Sequence, residues 1–330
     1  MTPDTLDAAG SFNRLSDVYR DAVSPFIEPD QPFALMDFPN HSNVGDSAIW
    51  VGEMAFFDAY VRRPASFVNT YAEDPAEVAE YVPEGPVFIH GGGNFGDIWP
   101  QHQTFRLRAM EVLKGRPLVQ LPQSVHFDNE KGRDETARAI AAHGQVTLLV
   151  RDQPSLEFAQ AHFDCAVQMA PDAAVNIHHL PANDPVTDVI SFMRGDRESV
   201  WGDAITYLET LGEITDWPAP DVWTMPDRIR QKLYAPFARP AMAHREAMYR
   251  RQAQMRVQAG VAHMAPARQI VSDRLHVHLI AALMRRPHVV LDNVYGKIGR
   301  HIEAWGDFGL ARRVADVDTL RAVMSERAGG

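Results

Sequence analysis

Short apolar runs alternate with amphipathic segments along the first half of the chain. The apolar runs have the length of buried strands and lie at residues 33–38, 87–90, 118–121 and 146–150. The amphipathic segments have helical spacing and lie at residues 46–61, 105–113 and 134–143. Strands that alternate with helices are typical of a parallel sheet with helices on both faces. This half is therefore predicted to be α/β, with ligand groups at the carboxyl ends of the strands.

The same pattern starts again after residue 188. Residues 177–188 carry two prolines and little periodicity, which indicates a domain boundary. Beyond them we predict strands at 189–193, 269–271 and 289–291, helices at 273–285, 298–305 and 317–327, and a long helical insertion at about 226–264. The chain is thus predicted to have an N-terminal domain, 1–180, and a C-terminal domain, 181–330, that contains the insertion and a C-terminal helix.

Length and composition agree with this division. A chain of 330 residues exceeds the size at which one hydrophobic core usually keeps growing, so two domains are expected. Hydrophobic residues make up 45% and charged residues 23%, which excludes a disordered or collagen-like chain. The single cysteine, Cys165, fits a reducing compartment. Because neither a basic leader nor an apolar run of membrane-spanning length is found, a cytoplasmic location is expected.

Charge is distributed unevenly along the chain. The formal net charge of −11 should repel nucleic acid and other polyanions, yet nine basic residues against two acidic ones lie between Met225 and Arg268. One interpretation is a helix whose Met242, Met248 and Met255 pack on the domain or on a second subunit. The other is a basic surface that steers anionic or lipid-linked acceptors, or touches the inner face of an anionic membrane. A homo-oligomer and a peripheral membrane contact both stay open.

A glycine-rich segment follows the second predicted strand. Residues 87–97 read Val-Phe-Ile-His-Gly-Gly-Gly-Asn-Phe-Gly-Asp. Glycine allows positive φ and close approach of the main chain, and a helix directly after it would present unpaired N–H groups to an anion. We expect Gly91, Gly92, Gly93 and Asn94 to bind an anion, most often a phosphate. The alternative is a tight strand-to-helix turn, since the spacing matches neither the dinucleotide fingerprint nor the P-loop.

The segment after the first strand offers a second loop at the same edge of the sheet. It reads Asn-His-Ser-Asn-Val-Gly-Asp from residue 40 to residue 46. Gly45 suits a turn, and Asp46 or Ser47 is expected to cap the following helix. Either Asn43 and Asp46 face the glycine loop and contact a ligand, or the segment is a helix cap and nothing else.

Polar residues also follow the third and fourth strands. Gln123 and Ser124 suit a ligand hydroxyl. Arg151 suits a bidentate contact with phosphate or carboxylate, while a structural pair between this arginine and an aspartate is the competing interpretation.

In the second half, residues 272–276 lie where a strand becomes a helix. Arg274 and His276 should stand near the helix N-terminus, which favours a bound anion. His278 does not share a helix face with His276, so it should be packed or solvated, and no joint metal site is expected. No other cluster has metal-ligand spacing. Asn293, Tyr295 and Lys297 follow the next strand and are expected to contact the same ligand.

In their order along the chain, these motifs resemble the polysaccharide pyruvyl transferase family. The set spans roughly residues 33–300 and consists of Asn43 with Gly45 and Asp46, 91–94, Gln123 with Ser124, Arg151 with Asp152, Pro171 with Asp172, 192–196, 273–276 and 292–297. The resemblance implies two Rossmann-like domains that face each other across a cleft, similar to the GT-B glycosyltransferase architecture. It also implies transfer of a pyruvyl group from phosphoenolpyruvate to two hydroxyls of a sugar in an exopolysaccharide or cell-surface glycan precursor. A pyruvate ketal forms and phosphate is released. Residues 226–264 match no pattern of the family, so the acceptor stays undefined.

The resemblance implies that Arg274, Leu275 and His276 contact the donor, with Arg151 as a companion. A donor with a phosphate and a carboxylate needs concentrated positive charge in an acidic protein. The groups that suit this need are Arg151, Arg194, Arg274, Lys297 and the glycine-loop amides.

The reaction also needs an acid and a base. His276 is the candidate for the acid or for donor polarisation, because histidine titrates near neutral pH. Asp46, Asp97 and Asp172 are the possible bases. No redox step occurs, so no organic cofactor is expected. Trp99 either stacks on a sugar ring or is partly buried core.

Three alternatives belong to other classes. Gly45-Asp-Ser47, Gly93-Asn94 and 273–276 also resemble blocks of an SGNH-type esterase, with Ser47 as nucleophile, His276 as base and Asp273 orienting it. That class gives no role to Arg151, Arg194 or residues 292–297. A GT-B-like glycosyltransferase and a sugar-binding scaffold are the other two.

Overall fold

A computed structural model describes residues 8–195, 201–220, 238–292 and 295–328. The chain divides into two compact units, each built from more than one stretch. The first unit comprises Arg14–Asn176 and Asp221–Arg256, and the second comprises Met1–Asn13, Ile177–Pro220 and Val257–Gly330. The boundary predicted between residues 180 and 181 stays a prediction.

The first unit is built around one parallel sheet. Its strands are β1 (Ala34–Met36), β2 (Phe67–Val68), β3 (Val87–Ile89), β4 (Gly92–Gly96), β5 (Leu118–His126), β6 (Val146–Val150) and β7 (Ala166–Met169). The sheet order is β2-β1-β3-β5-β6-β7, and β4 also pairs with β5. The helices up to residue 176 are α1 (Ala8–Val23), α2 (Val44–Tyr60), α3 (Val78–Tyr81), α4 (Pro100–Val112), α5 (Glu130–His143) and α6 (Gln153–His162). Strands β1 and β3 are buried along their whole length, as expected for central strands covered on both faces.

The second unit has its own parallel sheet, in the order β12-β11-β10-β8-β9. Its strands are β8 (Thr187–Phe192), β9 (Glu213–Thr215), β10 (Ala267–Ser272), β11 (His288–Leu291) and β12 (Ala311–Val314). The helices beyond residue 200 are α7 (Gly202–Glu209), α8 (Ala238–Met264), α9 (Leu275–Leu283), α10 (Lys297–Trp305) and α11 (Val317–Ala328). The predicted α/β class with parallel sheets is confirmed.

Helix α8 contains the described part of the predicted insertion. Met242 and Met248 are buried in the core of the first unit, and Tyr249 stacks on Phe38 with 4.0 Å between ring centroids. Met255 is half-buried. The interpretation of a packed helix is therefore confirmed for the first two methionines. Residues 221–237, where the insertion was predicted to begin, lie outside the described residues.

Arginines of α8 are paired with acidic side chains of the same unit. Arg250 lies between Asp58, at 2.5 Å, and Glu246, at 2.7 Å, and Arg245 lies 2.7 Å from Glu73. Part of the basic cluster is thus neutralised locally. Within the described ranges, no helix is long and apolar enough to cross a membrane.

Candidate active site

The glycine segment continues the sheet and does not turn into a helix. β4 pairs in parallel with the second part of β5, and helix α4 begins only at Pro100. Gly92 and Gly96 have φ values of 122° and 126°. A Cβ atom added to Gly96 would lie 1.6 Å from the main-chain oxygen of His126. The expectation of a helix N-terminus directly after the glycines is therefore wrong, because glycine is needed here for close contact between β4 and β5.

Two of the predicted site residues lie against this segment. A Cβ atom added to Gly92 would lie 3.7 Å from Oδ1 of Asp46, and one added to Gly93 would lie 3.1 Å from Nη2 of Arg151. The structure thus brings a carboxylate and a guanidinium to the same short stretch of main chain.

Gly91 and Asn94 are fixed by hydrogen bonds at the two ends of the glycine run. The main-chain N–H of Gly91 donates to Oε1 of Glu53 at 2.8 Å. Asn94 donates its main-chain N–H to Oε1 of Gln123 at 3.2 Å, and Nε2 of Gln123 donates to Oδ1 of Asn94 at 2.9 Å. Gln123, which is fully buried, therefore holds the segment in position, and the ligand role predicted for it stays a prediction.

Asn43 caps helix α2, and the expected cap at Asp46 or Ser47 is wrong. The helix begins at Val44, so Asp46 falls in its first turn. The Asn43 side chain accepts the N–H of Gly45 at 3.0 Å and donates to Oδ2 of Asp46 at 2.8 Å. Asn43 thereby orients the Asp46 carboxylate, whose side chain is 24% exposed.

Arg151 has a buried structural partner. Its Nη1 donates to Asp172 at 2.6 Å and its Nε donates to the hydroxyl of Ser124 at 3.0 Å. The Ser124 hydroxyl in turn donates to Asp152 at 2.6 Å. The structural pair foreseen for this arginine is thus present, while its guanidinium also lies beside Gly93.

The three possible bases differ in their surroundings. Asp97 accepts the main-chain N–H of Asp128 at 2.8 Å with one oxygen and at 3.0 Å with the other, so it fixes a loop. Asp172 is engaged with Arg151. Asp46 is the one that combines partial exposure with contact to the glycine segment.

The structure adds a buried Glu–His pair that sequence reasoning missed. Oε2 of Glu53 lies 2.8 Å from Nδ1 of His90, and both side chains are almost completely buried. Burial raises the pKa of the Glu53 carboxyl. Burial alone would lower the pKa of His90, but the neighbouring carboxylate more than offsets it and raises that pKa. The Glu53 carboxylate thus bridges the His90 ring and the main-chain N–H of Gly91.

A second missed group surrounds Asp37, which follows β1 with a left-handed φ of 68°. Both oxygens of Asp37 lie 2.9 Å from Nδ1 of His102. Arg106, fully buried, donates to the main-chain oxygen of Asn94 at 2.9 Å and also to its side-chain oxygen. Burial lowers the pKa of Arg106 to about 10. The left-handed main chain of Asp37 and the buried side chain of Arg106 both fix the strand ends where the candidate residues lie.

In the second unit, Arg274 is the N-cap residue of α9. Its N–H donates to the Ser272 hydroxyl at 3.0 Å, and its guanidinium donates to Asp216 at 2.5 Å. Leu275 and His276 form the start of the first turn, before the first N–H that bonds within the helix. The predicted position at a helix N-terminus is confirmed, and it suits an anion.

Asp273 precedes this helix and is fully buried. One oxygen accepts the main-chain N–H of Arg194 at 2.9 Å, while Oδ2 has no hydrogen-bond partner among the described residues. Burial raises the pKa of Asp273 to about 6, against the opposing effect of the Arg194 N–H. A carboxyl group that titrates near neutrality is a candidate for proton transfer.

The remaining predicted residues of this unit lie near the start of α10. Lys297 begins that helix, and its Nζ lies 5.1 Å from the centroid of the Tyr295 ring. Asn293 lies outside the described residues.

Of the two environments predicted for His278, packed or solvated, the structure shows the packed one. It is fully buried, and its Nδ1 lies 2.7 Å from Nε2 of His288. In the described parts of both units, no group of three His, Cys, Asp or Glu side chains is arranged to hold a metal ion.

Both units contain a parallel sheet, and charged and amide groups follow several strands at the carboxyl edge, where open α/β sheets generally bind ligands. The chain matches the family described as polysaccharide pyruvyl transferase over residues 43–293, and it belongs to that family.

Named relatives agree with this assignment. Pyruvyl transferase 1 of Schizosaccharomyces pombe is 30% identical, over 82% of this chain and 69% of its own length. EpsO of Bacillus subtilis, whose name also describes a pyruvyl transferase, is 27% identical over 82% of this chain and 84% of its own length. An uncharacterized protein from Klebsiella pneumoniae has a crystal structure similar in fold, with a TM-score of 0.60 at 12% identity, covering 92% of this chain and 99% of that one.

Family membership identifies a transferase and does not support the esterase alternative. The structure agrees, because Ser47 is fully buried within α2. A nucleophile must be accessible to the bond that it attacks.

Proposed function

We propose that the protein transfers the pyruvyl group of phosphoenolpyruvate to two hydroxyls of a sugar in an exopolysaccharide or cell-surface glycan precursor. The family match over residues 43–293 supports pyruvyl transfer to a polysaccharide. The observation that carries the choice of donor is Arg274 at the N-cap of α9, with Leu275 and His276 directly after it. A guanidinium and main-chain N–H groups at one helix start suit a donor that carries a phosphate and a carboxylate.

In the proposed reaction, the methylene carbon of the donor takes a proton from His276, which leaves positive charge on the neighbouring carbon. One sugar hydroxyl adds to that carbon and gives its proton to Asp46. The second hydroxyl adds to the same carbon as the bond to the phosphate oxygen breaks, and its proton leaves with the phosphate. The product is a cyclic ketal, and neither a redox step nor an organic cofactor is required. Fixed positive charge stabilises the negative charge on the phosphate as it departs in the transition state.

Asp46 is chosen as the base because of its surroundings. Its carboxylate is oriented by Asn43, lies beside Gly92 and is partly exposed. Asp97 and Asp172 are occupied by structural hydrogen bonds. We further propose that the reaction takes place in the cytoplasm, with an acceptor that is free or linked to a lipid at the inner face of the membrane.

The test is release of inorganic phosphate from phosphoenolpyruvate, measured with and without a panel of saccharides, together with NMR detection of the ketal methyl group. We expect release that depends on a saccharide. Arg274→Ala should lower kcat/KM for phosphoenolpyruvate by about a hundredfold, because a charged contact to the reacting group is lost.

Arg268→Ala is the matched control, since this arginine lies just before α9 in sequence and its side chain is 72% exposed. Its kcat/KM should equal that of the wild type. Phosphate release that needs no saccharide, or equal effects of the two substitutions, would contradict the proposal.

A further inference from the structure

A cavity of about 440 Å³ opens on the first unit, and no step of the reaction proposed above uses it. Its walls come from the loop after β2 and from the first turns of α4, and include Tyr71, Glu73, Gln101, Phe105 and Arg108. Its volume is in the range of small-molecule sites, which runs from roughly 300 to 1,000 Å³.

One wall of this cavity is an exposed aromatic ring. Tyr71 is 40% exposed, and its ring meets His102 edge-on with 4.7 Å between centroids. His102 is itself held by Asp37, so the tyrosine rests on a fixed support. An exposed aromatic ring beside polar groups suits the apolar face of a sugar ring, whose edge carries hydroxyls.

The charges around the cavity do not suit an anionic donor. The Glu73 carboxylate lies 2.7 Å from Arg245, and the Asp74 carboxylate lies 3.6 Å from Arg108. Each carboxylate is thus paired, so the cavity has no excess of positive charge with which to hold a phosphate. Paired carboxylates can still accept hydrogen bonds from uncharged hydroxyls, and the amide of Gln101 can both accept and donate them.

Helix α4 links the cavity to the glycine segment. Phe105 lines the cavity, and the next residue, Arg106, holds both oxygens of Asn94. A ligand in the cavity therefore lies along the same helix that positions the predicted site.

We propose that this cavity binds a hexose ring of the acceptor saccharide, with the ring on Tyr71 and its hydroxyls toward Glu73 and Gln101. The inference rests on the proposed function, since it identifies where the acceptor of that reaction is held.

The test measures binding of uncharged methyl glycosides of the common hexoses and N-acetylhexosamines, by titration calorimetry and saturation-transfer NMR, without phosphoenolpyruvate. At least one glycoside should bind, and Tyr71→Ala should weaken that binding by about fivefold or more, which is the size of one lost ring contact. Tyr71→Phe keeps the ring and should stay within about twofold of the wild type. Val186→Ala, an exposed apolar change in the second unit, is the control and should have no effect.

No binding of any glycoside, or equal binding by Tyr71→Ala and Val186→Ala, would overturn the inference. Phosphate release separates this result from the proposed function. If phosphate release depends on a saccharide but Tyr71→Ala leaves the KM for that saccharide unchanged, the proposed acceptor site is wrong and the proposed reaction stands. If glycoside binding depends on Tyr71 but no glycoside stimulates phosphate release, the cavity is a saccharide site and the proposed reaction is wrong.

Discussion

The carboxylate of Glu53 lies 2.8 Å from Nδ1 of His90, within the buried interior of the first unit. Its second oxygen accepts the N–H of Gly91, also at 2.8 Å. One side chain of α2 thus fixes both the imidazole at the end of β3 and the first glycine of the candidate site.

Replacing Glu53 by Gln should lower the free energy of unfolding by about 3 kcal/mol, because a buried imidazole loses its charged partner. Since the carboxylate raises the pKa of His90, this stabilisation is fully present below the ordinary imidazole pKa of 6.5 and is lost as pH rises through the raised value. Denaturant unfolding should therefore show a larger loss near pH 6 than near pH 9. Glu111→Gln, at an exposed helix position, serves as control. Equal losses at both pH values would exclude a charged pair.

Asp273→Asn should stabilise the protein above pH 6. Burial raises the pKa of this carboxyl from 3.8 to about 6, so the stability contributed by its protonated form is present below 3.8 and is lost as pH rises through 6. Asparagine stays neutral and can still accept the Arg194 N–H. We expect a gain of up to about 3 kcal/mol near pH 8 and almost none near pH 3.5, measured by denaturant unfolding. A variant no more stable than the wild type at pH 8 would show that the carboxylate is satisfied in the native state.

Gly96→Ala should cost more than about 4 kcal/mol of unfolding free energy, or prevent folding. The new Cβ would lie 1.6 Å from main-chain oxygen of His126, which cannot move without breaking the sheet. Gly115 is the matched control, because it also has positive φ, at 79°, but no atom lies within 4 Å of an added Cβ. Gly115→Ala should cost only about 1 to 2 kcal/mol, the penalty for the left-handed conformation. Similar losses for both would mean that β4 does not pack against β5 as described.

Asp46→Asn and Asp172→Asn should separate catalysis from structure. Under the proposed function, Asp46→Asn should lower kcat by about a hundredfold or more while stability stays within about 1 kcal/mol. Asp172→Asn leaves the buried Arg151 without its charged partner and should cost about 3 kcal/mol of stability. Phosphate release and thermal unfolding measure the two effects. A normal kcat for Asp46→Asn would remove this residue from the mechanism.

Apolar patterning predicted the central strands and several of the helices, because burial imposes it. It did not predict the strands β2, β7, β9 and β12 or the helices α1, α3, α6 and α7. The strand at 146–150 has the predicted ends, and the helix predicted at 46–61 spans Val44–Tyr60. β4 was missed because glycines carry no apolar pattern and its pairing is dictated by β5. Because the glycines have no side chains that could show a strand pattern, this segment was predicted to lead directly into a helix.

The residues at strand ends could be predicted from sequence because each follows an apolar run directly. The buried residues that support them could not be predicted. Glu53 meets His90 across 37 positions, and Asp37 meets His102 across 65. Nothing in the local spacing of either pair signals the contact, which exists only once α2 and α4 pack on the sheet.

Strand β4 gives the glycine segment a property that a flexible loop lacks. The conformational entropy of its main chain is lost when the sheet forms, not when a ligand arrives. A molecule that touches Gly92 or Gly93 therefore meets a surface whose shape is already set, and none of its binding free energy is spent on ordering that stretch.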